Sequence, residues 1–114
     1  MGSLFGIHGD ALQLRSQRLG LITSNLANAG TPGYKARDLD FGAALKASQG
    51  GMNLDQAGAA AIRFRVPVMP SMDGNTVETA TEQVAFAETA IGYQATLTFI
   101  RSRVESLTRA LRGE

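Results

Sequence analysis

The chain of 114 residues contains no cysteine. That excludes disulfides, thiolate zinc sites and cysteine nucleophiles, and leaves the redox compartment unreadable. With a single histidine, His8, beside Gly9 near the start of the chain, neither a histidine metal site nor a histidine dyad can be built. Charge of one sign is also missing: 11 Lys and Arg face 10 Asp and Glu, so no field draws in nucleic acid or anionic lipid. Long apolar runs are absent, and the opening MGSLFGIHGDALQLRS lacks the basic region and unbroken apolar stretch of a cleaved secretory signal. Neither membrane insertion nor signal cleavage is expected. Proline is scarce, and Pro32, Pro67 and Pro70 all fall in the middle of the chain. Two Pro-free ends therefore flank an irregular centre.

Those ends read as helices. Phe5, Leu12, Leu19 and Leu26 repeat every seven residues, with Ile22 and Ala29 at offset positions, which predicts a first helix over 4–29. His8 and Arg15 interrupt the stripe, and Gly20 weakens it. The second helix, over 76–111, carries the clearest pattern: Phe86, Ala90, Tyr93, Leu97, Ile100, Val104, Leu107 and Leu111 alternate by four and three as a coiled-coil seam. Asn75 with Glu78, and Thr79 with Glu82, offer capping boxes at its start. Its early glutamates and late arginines complement the helix dipole without any ligand. Off the stripes, Leu14, Leu21 and Ile91 add apolar surface, and the remaining outer positions are mostly uncharged, as on helices that pack against others.

Between the helices, residues 40–47 suit a short helix, and 50–61, rich in Gly and Ala, is expected to be mobile. Ile62, Phe64, Val66 and Val68 alternate with Arg63, Arg65 and Pro67 as an extended arm, expected to lack a partner strand. The fold class expected is all-α, a single domain in which the terminal helices pair as an antiparallel coiled-coil hairpin across a connector at 30–75. Two helices of this kind without disulfide or metal are marginal alone, so a partner is expected.

The densest punctuation is SNLANAGTPGYKARDLDF, from Ser24 to Phe41. Gly30 is expected as the left-handed residue ending the first helix, Pro32 blocks its continuation, and Gly33 suits the φ > 0 position of a type II turn. Asn25 and Asn28 place amides near the freed carbonyls, and Tyr34 and Lys35 project from the turn. Asp38 and Asp40 form a D-x-D pair that reads as turn and helix capping around Phe41, with too few oxygens to hold magnesium. Glycine spacing makes no phosphate loop. No catalytic constellation results, and no enzyme activity, cofactor or metal is expected.

This stretch resembles the N-terminal signature of the bacterial flagellar axial proteins, the rod and hook family. RFRVPVMPSMDGNTV and FAETAIGYQATLTFIRSRVESLTRALRG extend the resemblance, within that family, to proximal-rod subunits. The resemblance implies a structural subunit in the periplasmic part of the basal body, carried out by the flagellar export apparatus without signal cleavage. It implies helical polymerisation through paired terminal helices, with contacts to other rod proteins and to the adaptor joining the rod to the MS ring. Asn25, Leu26, Asn28, Thr31, Pro32, Gly33 and Tyr34 match the signature and are implied to fix the helix exit against neighbouring subunits. Gly30 departs from it, since an acidic or polar residue is common there, and the middle is shorter than in similar proteins. The competing expectation is a helical adaptor or export chaperone that binds one partner through the 86–111 seam.

Overall fold

A computed structural model describes residues 6–113; the expected helical positions Leu4 and Phe5 lie outside them. Six elements follow in order: α1 (Ile7–Ala27), β1 (Arg37–Leu39), α2 (Phe41–Gln49), α3 (Leu54–Ala60), β2 (Ile62–Phe64) and α4 (Thr79–Arg112). The molecule is mostly helical, but two short strands make it other than all-α. β1 and β2 pair antiparallel, with Arg37 opposite Phe64 and Leu39 opposite Ile62. The arm expected to stand alone thus has its partner inside the chain.

Local chemistry explains the middle. Asp40 caps α2, its Oδ1 accepting from the Ala43 N–H at 3.1 Å, and Asn53 caps α3, accepting from Asp55 N–H at 2.9 Å. The stretch expected to be mobile instead forms α3, with Ala57 and Gly58 buried. Small side chains suit this packing: a Cβ on Gly58 would meet the end of the Gln17 side chain, which would have to swing aside.

The apolar core sits between α1 and this middle region. Leu14, Leu39, Ala44 and Ala61 are buried together, and Leu21, Phe41, Leu45, Leu54 and Ile62 pack around them. Each large apolar side chain buried there contributes roughly 1.5–3 kcal/mol. Leu14 and Leu21, which lay off the stripe expected for the first helix, are therefore its core residues.

The terminal helices run antiparallel: His8 stacks near Phe99, Arg15 bonds Thr96, Arg18 bonds Thr89 and Asn25 bonds Glu82, one index rising as the other falls. The face of α4 that meets α1 carries Glu82, Thr89, Gly92 and Thr96, with Phe99 farther along it against His8. It is turned away from the expected seam. Ala90, Tyr93, Leu97 and Ile100 are partly buried, whereas Phe86, Val104, Leu107 and Leu111 are exposed, Leu111 at 88%. α4 also outruns α1, 34 residues against 21, and every residue from Arg101 to Leu107 is exposed, which accounts for the 65 Å long dimension.

Helix ends differ in detail from expectation. α1 stops at Ala27 with Asn28 as its C-cap, and Gly30 has no positive φ. α4 begins at Thr79 with Glu78 as N-cap and no capping side chain. Glu78 bonds the Val68 N–H instead, and Glu82 is drawn into the interior, so neither capping box forms.

Candidate functional site

The turn after α1 is built by its own residues. Asn28 donates its amide to Ser24 O at 2.8 Å and accepts from the Thr31 hydroxyl at 3.1 Å, closing the helix end. Tyr34 N–H bonds Thr31 O across Pro32 and Gly33, and Gly33 has φ of 76°, the backbone a type II turn requires. Thr31, Pro32 and Gly33 are exposed, while Leu26 and Tyr34 are partly buried.

A distant segment completes the turn. Gly33 N–H donates to Asp73 O, Thr76 N–H to Tyr34 O, and Lys35 Nζ to Gly74 O. The buried Asn75 amide nitrogen reaches three carbonyls at the foot of α1, Asn28 O at 2.9 Å, Ala29 O at 3.1 Å and Thr31 O at 2.7 Å. These are the carbonyls a helix end leaves without partners. Sequence reasoning gave Asn75 to the start of α4; no local signal marks a partner more than forty residues away.

Asn25, 1% exposed, performs a related task on a strand. Its Oδ1 accepts from Arg37 N–H at 3.1 Å and its Nδ2 donates to Arg37 O at 2.7 Å, so the amide pairs with the free edge of β1 as a neighbouring peptide would. The same Nδ2 donates to Glu82 Oε1 at 2.9 Å, and the Tyr34 hydroxyl lies against Asn25 Oδ1 and Ser24 Oγ. The turn, the sheet and α4 all meet at this residue.

Glu82 ends a chain of alternating charge. Arg18 grips Asp38 with two parallel bonds of 2.8 and 3.0 Å, Arg65 joins Asp38 at 3.0 Å, and Arg65 Nε meets Glu82 Oε2 at 2.5 Å. Glu82 is fully buried, and both of its carboxylate oxygens are engaged by Arg65 and Asn25. Arg18 also donates to Thr89 Oγ1, and Arg15 lies 4.4 Å over the Phe41 ring while donating to Thr96. Gly92 gives Arg15 its room, since a Cβ there would sit 2.7 Å from its Nε. Among the described residues no buried side-chain polar atom lacks a partner. Burial acts to raise the Asp38 pKa, but the Arg18 bonds and charge, the Leu39 N–H and Arg65 outweigh it and hold the carboxyl below its ordinary range. Arg18 is raised, chiefly by its bond to Asp38.

Of the D-x-D pair, then, Asp40 caps as expected and Asp38 is an ion-pair partner of two arginines. The signature residues Asn25, Asn28, Thr31, Gly33 and Tyr34 come together in one network; Pro32 lies within the turn, and Leu26 O accepts from Ala29 N–H at 3.3 Å. Of the seam residues on α1, Ile22 is buried and Leu12 and Leu19 are partly buried. Sequence reasoning did not single out Arg18 or Arg65. Among the described residues no three His, Cys, Asp or Glu side chains gather as metal ligands, and no helix is long and apolar enough to cross a membrane.

Comparison with known proteins bears on the same segments. Residues 5–35, which include α1 and the turn, match the family model described as "Flagella basal body rod protein". The flagellar basal body rod protein FlgB of Cereibacter sphaeroides is 48% identical, with 96% of this chain and 94% of that protein covered. The proteins of the same name from Aeromonas hydrophila and Salmonella typhimurium are each 37% identical, with 96% and 91% of this chain and 93% and 89% of theirs covered.

Proposed function

Because the chain belongs to the flagellar basal body rod proteins, we propose that it is a structural subunit of the rod, acting by assembly rather than by catalysis. Relatedness along nearly the whole length carries this reading. The fold supports it: α4 meets α1 largely through Glu82, Thr89 and Thr96 and leaves Phe86, Val104, Leu107 and Leu111 exposed. An apolar row of this length on a protruding helix suits helix packing against a neighbour.

In the finer reading, the subunit belongs to the proximal rod and polymerises helically into a shaft that transmits torque. The terminal helices form an antiparallel hairpin whose coiled-coil seam is completed by neighbouring subunits, with the whole chain as one domain. Signature residues Asn25 to Tyr34 set the direction in which the chain leaves α1. The partners are other rod proteins, the adaptor to the MS ring and the export apparatus, with passage to the periplasm on an uncleaved N-terminus. The adaptor or chaperone reading is not favoured, since the relatives are rod proteins by name. A strain lacking this chain is expected to be non-motile, with basal bodies that carry no rod, and to recover both when the chain is supplied in trans. Swimming with intact rods in its absence would contradict the proposal.

A further inference from the structure

We propose that the arm following β2, residues 64–72, is the seat for the protruding end of α4 from a second copy of this chain, so that copies join head to tail. The inference rests on the assembly reading above and names the contact. Phe64, Val66, Val68, Met69 and Met72 are all exposed, Met72 completely. The arm is nevertheless held in place. Arg65 pairs with Asp38 and Glu82, both Glu78 carboxylate oxygens accept from the Val68 N–H at 3.1 and 3.2 Å, and Ser71 Oγ donates to Asn75 O. Polar contacts thus fix the arm while its apolar side chains stay uncovered, a surface ordered before anything binds it.

Charge selects the occupant. From Val66 to Ile100 the sequence holds no Lys, Arg or His and four acids, Asp73, Glu78, Glu82 and Glu88, of which Glu82 is already paired. Asp73 and Glu78 stand at the arm itself, with Lys35 reaching Gly74 O beside them. From Arg101 onward the balance reverses: Arg101, Arg103, Arg109 and Arg112 face Glu105 and Glu114. Val104, Leu107 and Leu111, spaced by three and four, lie exposed on one face of α4 among these arginines. An apolar, basic end thus matches an apolar, acidic seat, and methionine side chains at the seat adapt to the shape they meet. The end cannot reach the seat of its own chain, because α4 is one helix from Thr79 to Arg112, and at 1.5 Å per residue its two ends lie about 50 Å apart. Nor do two such ends suit each other, since each would set its arginines against the other's. A contact between unlike surfaces repeats from copy to copy instead of closing on a pair.

The cysteine-free chain allows a direct test. Met72→Cys at the seat and Ala110→Cys at the end, both exposed positions, are made in separate copies of the full chain, mixed in equal amounts and oxidised. Random collision yields as much mixed dimer as the two like dimers together. The same mixture with Ser16→Cys, exposed on α1, in place of Met72→Cys measures that background. Mixed dimer is expected in several-fold excess when Met72→Cys meets Ala110→Cys, and at background with Ser16→Cys. Raising NaCl from about 0.1 M to about 1 M, which shortens the screening length from about 10 Å to about 3 Å, should remove most of the excess. Arg109→Glu with Arg112→Glu in the Ala110→Cys copy should do the same while the helical circular dichroism stays; if that copy unfolds, the salt series decides. Mixed dimer at background in low salt, or an excess that survives high salt, would overturn the contact. Background crosslinking alongside a deletion strain that lacks rods would remove this contact and leave the assembly reading standing.

Discussion

Two side-chain amides hold much of the polar structure together. Asn25 closes the edge of β1 and holds Glu82, and Asn75 closes the foot of α1. Asn75→Ala leaves helix-terminal carbonyls without their donor in a buried place, a loss of about 1–3 kcal/mol. Thermal unfolding should show a lowered melting temperature, and an unchanged one would mean that water replaces the amide at no cost. Asp38 adds a pH dependence. Its folded pKa is depressed, so its contribution is fully present above the ordinary aspartate range near 4 and is lost as pH falls through the lower folded value. Urea unfolding should therefore lose stability steeply below about pH 4, and Asp38→Asn should flatten that acid limb while lowering stability at neutral pH. An acid limb of equal slope in the variant would assign the loss to other carboxylates. None of these pairings is marked in the sequence, because Asn25 and Glu82 lie 57 positions apart and no local pattern announces such a partner.

Among the elements, the readable ones were those whose signal is local. The 3–4 alternation from Phe86 to Leu111 announced α4, Asp40 announced α2, and Pro32-Gly33 announced the turn. α3 was hidden because its packing depends on small side chains, Ala57 and Gly58, which carry no apolar period. β2 lies within the alternation that runs from Ile62 to Val68, whereas β1, at three residues, is too short to show one, and their pairing joins positions 25 or so apart. The apolar seam of α4 was legible as a pattern but not as to its partner: periodicity says that a face is buried somewhere, not within which molecule. That distinction separates two substitutions. Leu14→Ala empties the core between α1 and the middle region and should cost about 2–5 kcal/mol. Phe86→Ala, on the exposed face, should cost well under half of that in the isolated chain. Chemical denaturation of both variants decides the point, and equal losses would place the core between the terminal helices instead.

On the scale of the whole molecule, the chain divides its surfaces by chemistry. Apolar burial holds α1 to the middle region, a paired polar network holds α4 to α1, and the protruding part of α4 leaves Val104, Leu107 and Leu111 exposed. Such a division suits a rod subunit, whose stability alone is less important than the many repeated contacts it makes in an assembly. The most direct test is Leu107→Asp, read both as the melting curve of the purified chain and as electron micrographs of basal bodies from cells that carry it. An exposed position tolerates the carboxylate in the free chain, whereas an interface must bury it unpaired. The melting curve is expected to match that of the unsubstituted chain while the basal bodies lack rods and the cells do not swim. Intact rods and normal swimming would contradict the account, as would a chain that unfolds on substitution.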